Sequence, residues 1–174
     1  MSRLSICLAL TLAGSGLAAD SPADSSGGVR DAMRSVAEGE RLERDGSADA
    51  ARAAYERALD RLSGRSAPLP EGRAWNGLGR LHEGRTEWTS ARDAYGRAAD
   101  AFARAFPRPQ EPEALARYQC AVAAWHVDDV ATAERSLSRA LEIWTSRGTP
   151  GDRGPDAARE LSRRVQSARE ASAR

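Results

Sequence analysis

WNGLGRLHEGRTEWTSARDAYGRA, residues 75–98, holds Gly79, Ala91, Tyr95 and Ala98 at successive gaps of 12, 4 and 3 residues. The same gaps separate Gly39, Ala51, Tyr55 and Ala58 upstream, and Ala121, Ala133, Leu137 and Ala140 downstream. Small, small, large, small is an order that suits two helices in close contact. The glycine or alanine on the first helix admits the second, which offers Ala51, Ala91 or Ala133 in return. Tyr55, Tyr95 or Leu137 then fills the space one turn further on. A pattern recurring at a fixed period marks a stacked helical array in which no pair buries its apolar face alone.

Composition agrees with helices. The apolar residues are mostly alanine and leucine, both strong helix formers, and β-branched runs are few. Acidic and basic residues number 25 and 26, a balance that argues against general attraction to nucleic acid or membrane surfaces. Arginine far outnumbers lysine, which points compositionally to a GC-rich bacterial genome.

Residues 1–19 differ from the rest. Arg3 precedes an apolar or small stretch from Leu4 to Leu17, and Ala18 and Ala19 follow. This layout predicts a secretory signal peptide, cleaved near Ala19, and a periplasmic or secreted protein. The competing reading is an uncleaved membrane anchor, but the run is shorter than the roughly 20 residues a spanning helix needs. Cys7 lacks the small preceding residue of a lipoprotein signal. Cys120 is then the only cysteine of the mature chain, so no internal disulfide forms, and its place on a packed helix face predicts a buried thiol.

Residues 20–28 (DSPADSSGG) read as a flexible linker. Helices are expected over about 29–44, 48–62, 73–84, 87–105, 113–127 and 129–146, with a last one over 156–173. The turns fall at Asp45-Gly46 and at segments rich in proline and glycine: Gly64, Pro68 and Pro70, then Pro107 and Pro109, then Gly148, Pro150 and Gly151. Asp128 and Asp156 are candidate N-caps. The domain at 29–174 thus divides into units of about 29–66, 71–107 and 112–148 plus a capping helix, whose outer face carries Arg159, Glu160, Arg163, Arg164 and Arg169.

Trp75-x-x-Leu78-Gly79 followed by Ala91, Tyr95 and Ala98 resembles the tetratricopeptide repeat (TPR), and Gly46-Ser47-Ala48-Asp49-Ala50-Ala51 looks like its inter-helix turn. The first unit departs from the pattern at Ser35 and Glu38, and the third has Ala121 for the glycine. The units are 40 and 42 residues apart, which is similar to the long-repeat variant of kinesin light chains. The resemblance implies an all-α, TPR-like α-solenoid of three helix pairs plus a C-terminal capping helix. It further implies a concave groove lined by the first helix of each pair. Carried over, that groove takes Met33, Val36 and Glu40, then Arg73, Asn76, Arg80 and Glu83, then Tyr118, Val122, Trp125 and His126.

Arginine forks suit carboxylates, and an asparagine amide can hold an extended backbone, so Arg73, Asn76 and Arg80 are candidates to grip an acidic or C-terminal group. Tyr118, Val122 and Trp125 would add rigid contact area. The alternative is that the arginines form a solvated face. Trp75 and Trp88 are expected in the core, and Trp144 against the last helix.

His82 and His126 lie far apart without a local second ligand, so no metal is expected. No phosphate loop, Gly-x-Ser-x-Gly elbow or other catalytic constellation appears. No enzyme activity and no cofactor are expected. The expected function is a module that binds a protein or peptide segment in its groove. It would bind no nucleic acid, and would meet a membrane only through an uncleaved signal. The alternative is a structural subunit of a cell-envelope assembly acting through its convex face or C-terminal helix. The sequence leaves the oligomeric state open.

Overall fold

The computed structural model describes residues 22–147 and 153–172, and among these it is helical with no strand. The signal peptide expected at 1–19, Cys7, and the breakers Gly148, Pro150 and Gly151 lie outside the described residues. Seven helices follow one another: α1 (Pro22–Arg44), α2 (Ala48–Leu62), α3 (Pro68–Gly84), α4 (Trp88–Ala105), α5 (Glu111–His126), α6 (Val130–Ser146) and α7 (Arg153–Ser172). Each packs on its neighbours in sequence. In addition α1 touches α3, and α5 touches α7.

Three boundaries correct the sequence reading. Helix α1 begins at Pro22, over the stretch expected to be linker, and runs through Gly27 and Gly28. Helix α3 begins at Pro68 rather than Arg73. Proline breaks the interior of a helix, but in a first helical turn the N–H groups have no intrahelical acceptor, so their loss costs nothing. Helix α5 likewise starts early, with proline in its first turn. Neither expected N-cap is one. Asp129 caps α6, its Oδ1 accepting from the Thr132 backbone N–H at 3.0 Å. Asp128 has a φ of 56°, and Asp156 lies within α7.

The left-handed residue recurs. Gly46, Thr86 and Asp128 all have positive φ, and each stands seven positions after the small residue of its unit. The residue after each donates its backbone N–H back to the helix: Ser47 to Leu42, Glu87 to His82 and Asp129 to Ala124. This six-to-one bond closes the helix C-terminus and satisfies carbonyls that would otherwise lack partners. One turn geometry therefore serves three different residue types.

The core is built on alanine. Ala51, Ala91 and Ala133 are fully buried, as are Ala58, Ala98, Ala121 and Ala140. Tyr55, Tyr95 and Leu137 are the large buried side chains beside them, each burial contributing about 1.5–3 kcal/mol for the apolar part. The rings lie directly on glycine. A Cβ on Gly39 would meet the Tyr55 ring at 2.7 Å, and one on Gly79 the Tyr95 ring at 2.6 Å. The other face of the Tyr55 environment is Gly77 of α3, where a Cβ would collide with the same ring. Tyr55 is thus held between α1 and α3. Leu78 joins this core, whereas Trp75 is only half-buried, with the Arg97 guanidinium 4.6 Å above its ring. Trp88 is also half-buried rather than enclosed. Trp144 is fully buried, donates from Nε1 to Glu111 at 2.9 Å and abuts Gly154 of α7.

Candidate functional site

Helices α1, α3, α5 and α7 supply the face on which the expected binding residues lie. Its first half is closed by ion pairs. Arg73 of α3 places Nη2 2.8 and 2.7 Å from the two Glu40 oxygens, and Nε adds a third contact at 3.1 Å. Arg80 forks onto Glu43, with Nε and Nη2 each 2.7 Å from a separate oxygen. Glu43 also accepts the Tyr55 hydroxyl at 2.8 Å. Burial alone would raise the Glu43 pKa, but the Arg80 fork and the Tyr55 hydroxyl outweigh it and hold the carboxyl below its usual value. The Glu43 carboxylate, in turn, raises the Arg80 pKa.

The two arginines expected to grip a ligand carboxylate therefore already grip carboxylates of α1. A ligand would have to displace a two-bond fork at either position. Asn76 lies between them, half-buried, and its amide makes no hydrogen bond among the described residues. Val36, expected in the groove, is fully buried with Ala32 in the core. That is a correction. Val36 packs with Tyr55 of α2 in that core, whereas Met33 is 47% exposed.

The second half of the face is apolar. Tyr118, Val122 and Trp125 of α5 line a cavity of about 320 Å³, and Leu161, Glu160 and Arg164 of α7 form its opposite wall. Both aromatic side chains also pack on the core beneath, which fixes their rotamers. Tyr118 stands 6.2 Å from Trp144, ring centre to ring centre, at a tilt of 59°. Its pKa is raised by burial first, then by the negative charges of Glu160 and Glu83. Beside the cavity, His126 stacks on Trp88 with ring centres 3.8 Å apart and planes 9° from parallel.

The change of character follows from two substitutions in the repeat. The positions of Arg73 and Arg80 in the second unit are occupied by Leu115 and Val122 in the third. Without arginine there, no fork joins α5 to α3, and Leu115 is left 44% exposed. The structure thus brings Tyr118, Val122 and Trp125 together and leaves Arg73, Asn76 and Arg80 outside their cavity.

Sequence reasoning missed Glu43 and placed Glu40 and Glu83 in the groove without seeing that they pair with Arg73 and Tyr95. Tyr95 donates to Glu83 at 2.5 Å, as Tyr55 does to Glu43. Both glutamates stand four residues after the unit's glycine, a repeat that was present in the sequence. In the third unit Trp125 replaces the glutamate and Leu137 the tyrosine. Donor and acceptor are lost together, so neither is left buried without a partner. The contribution of α7 carried no such signal.

Cys120 is 4% exposed and receives the Ser136 hydroxyl at 3.7 Å. Burial pushes its thiol pKa up, which keeps it protonated and a poor nucleophile. Among the described residues no three His, Cys, Asp or Glu side chains converge on a possible metal position. No described helix is long and apolar enough to cross a membrane. In comparisons with known proteins, the chain matches no family model and no curated protein.

Proposed function

We propose that the chain is a TPR-like α-solenoid that acts as a protein-interaction module in the cell envelope, after removal of residues 1–19. The occupant is a peptide or protein segment that inserts an apolar side chain between α5 and α7. The observation that carries this reading is the cavity walled by Tyr118, Val122, Trp125 and Leu161. Aromatic anchors held rigid by the core suit such recognition, because little rotamer entropy is lost on binding. Glu160 and Arg164 in its wall are ion-paired with each other, so recognition in this reading rests on the apolar and aromatic surface. In this reading Arg73 and Arg80 serve to hold α3 to α1, and they support the groove without contacting the occupant.

Selection of peptides from a random library on the full chain tests the proposal. Peptides with a large apolar residue are expected to be enriched. Binding should fall at least about tenfold in Trp125→Ala, the loss of one hot-spot contact, and persist in Arg73→Ala. Peptides that bind Trp125→Ala as tightly as the wild type would refute the groove. If binding instead follows changes on the outer face of α7, such as Arg163→Glu, the structural-subunit reading takes its place.

A further inference from the structure

On the far side of α5, a cleft of about 720 Å³ opens between α4, α5 and α6. Its size falls in the range of small-molecule sites. Five arginines line it, Arg92, Arg97, Arg117, Arg135 and Arg139, against three aspartates, Asp93, Asp100 and Asp129.

The pairing within the cleft is uneven. Arg92 takes two of the aspartates, Asp93 at 2.8 Å and Asp129 at 3.2 Å. Asp100 is held by Arg117 at 2.7 Å. Arg139 is paired with the buried Glu113 and the exposed Glu142, each at 3.0 Å. Neither of the other two is in ion-pair contact with a carboxylate, although the Arg135 charge acts on Asp129. Arg97 forms no ion pair and lies over Trp75, while Arg135 makes a single hydrogen bond, to the Thr132 hydroxyl at 3.0 Å. A second observation points the same way. The Arg117 Nε is buried and has no hydrogen-bond partner among the described residues. A buried N–H without an acceptor is costly unless a bound molecule supplies one.

The geometry points to this cleft as a binding site for a small phosphate-bearing molecule. Arg97, Arg117 and Arg135 come from three different helices. A planar carboxylate is satisfied by one fork, whereas a tetrahedral phosphate offers three oxygens to donors arriving from separate directions. The volume exceeds a bare phosphate, which leaves space for an organic body. Gly96 keeps that space open, since the nearest atom to a Cβ there is the Cys120 sulfur at 3.8 Å. Ser136 supplies a neutral polar group on the floor.

Isothermal titration calorimetry on the full chain tests the site, with glucose 6-phosphate, glucose and inorganic phosphate as probes. Glucose 6-phosphate should bind and glucose should not, with affinity falling as salt rises. Affinity for inorganic phosphate equal to that for the sugar phosphate would identify free phosphate as the ligand of the same site. Arg97→Gln with Arg135→Gln should weaken binding by about tenfold or more, the loss of a charge-assisted contact. Gly96→Leu retains every charge and fills the floor, and it should abolish binding while circular dichroism shows unchanged helix content. The proposal is overturned if neither phosphate probe binds the wild type, or if both variants bind like it.

Discussion

Tyr55 and Arg80 share one carboxylate: the Tyr55 hydroxyl and both arms of the Arg80 fork converge on Glu43. The three groups come from α2, α3 and α1, so the carboxylate ties three helices at one point. Tyr55→Phe should destabilise the protein by roughly 1.5–3 kcal/mol, the value of a hydrogen bond to a charged group. That corresponds to a Tm lower by a few degrees. In a double-mutant cycle with Arg80→Gln the two losses should be non-additive, because both act through Glu43. Strict additivity in urea denaturation would show the two contacts to be independent.

Gly77 and Gly96 should respond in opposite directions to alanine. At Gly77 the new methyl collides with the Tyr55 ring, which is fixed by Gly39 behind it and by Glu43 at its hydroxyl. Overpacking there should cost about 1–3 kcal/mol net of alanine's better helix propensity. At Gly96 the methyl meets ordinary contact distance, so Gly96→Ala should stabilise by up to about 1 kcal/mol. Thermal unfolding of the two variants side by side decides the matter.

Thr86 occupies the left-handed position that glycine fills in the first turn and aspartate in the third. A β-branched residue at φ 59° is strained by about 1–2 kcal/mol. Thr86→Gly should therefore raise Tm, and Gly46→Thr should lower it by a similar amount. An unchanged Tm in the first variant would mean that the Thr86 hydroxyl, bonded to the Arg85 carbonyl at 2.6 Å, compensates the strain.

Stability should depend on pH at both extremes. The folded-state pKa of Glu43 lies below its usual 4.5, so its contribution is complete above that value and is lost as pH falls through the folded pKa. Glu43→Gln should flatten the acid limb of Tm against pH. Burial, with the carboxylates of Glu43 and Glu83, raises the phenol pKa of Tyr55 and Tyr95 above the usual 10.0. Here the sign reverses: stability is complete below pH 10 and declines as the pH rises beyond it. Absorbance at 295 nm should show no phenolate from these two tyrosines until the chain unfolds.

The two tryptophans around Tyr118 should separate stability from binding. Trp144 is 1% exposed, and its removal leaves both a large void and a Glu111 without its donor, so Trp144→Ala should cost about 3–5 kcal/mol. Trp125 is only half-buried and makes no side-chain hydrogen bond, so Trp125→Ala should cost markedly less. Equal losses of Tm would place Trp125 in the core and weaken its use as a binding anchor.

The helix order was legible in the sequence because small and large residues recur at fixed gaps. Gly39, Tyr55, Gly79 and Tyr95 announced which faces meet, and the buried rings lie on those glycines. The ends of helices were less legible, because Pro22, Pro68 and Pro112 can either break a helix or begin one. The candidate site was half legible. Residue type and spacing placed Tyr118, Val122 and Trp125 on one face. They did not reveal that Arg73 and Arg80 were committed to Glu40 and Glu43, since those pairs join residues 33 and 37 positions apart. Long-range charge pairing leaves no periodic trace within a single helix.

Tyr55 touches a glycine on α1 and another on α3, so the width of one aromatic ring sets how far apart those helices stand. Within the connector at 63–67, Ala67 is anchored in the core, whereas Gly64, with φ +73° and open space around its Cα, offers a place to lengthen it. A gauge block lodged between two surfaces holds their spacing whatever the length of the strap that joins them. A chain assembled in this way can drift in loop length over many generations while its helices keep the same pitch.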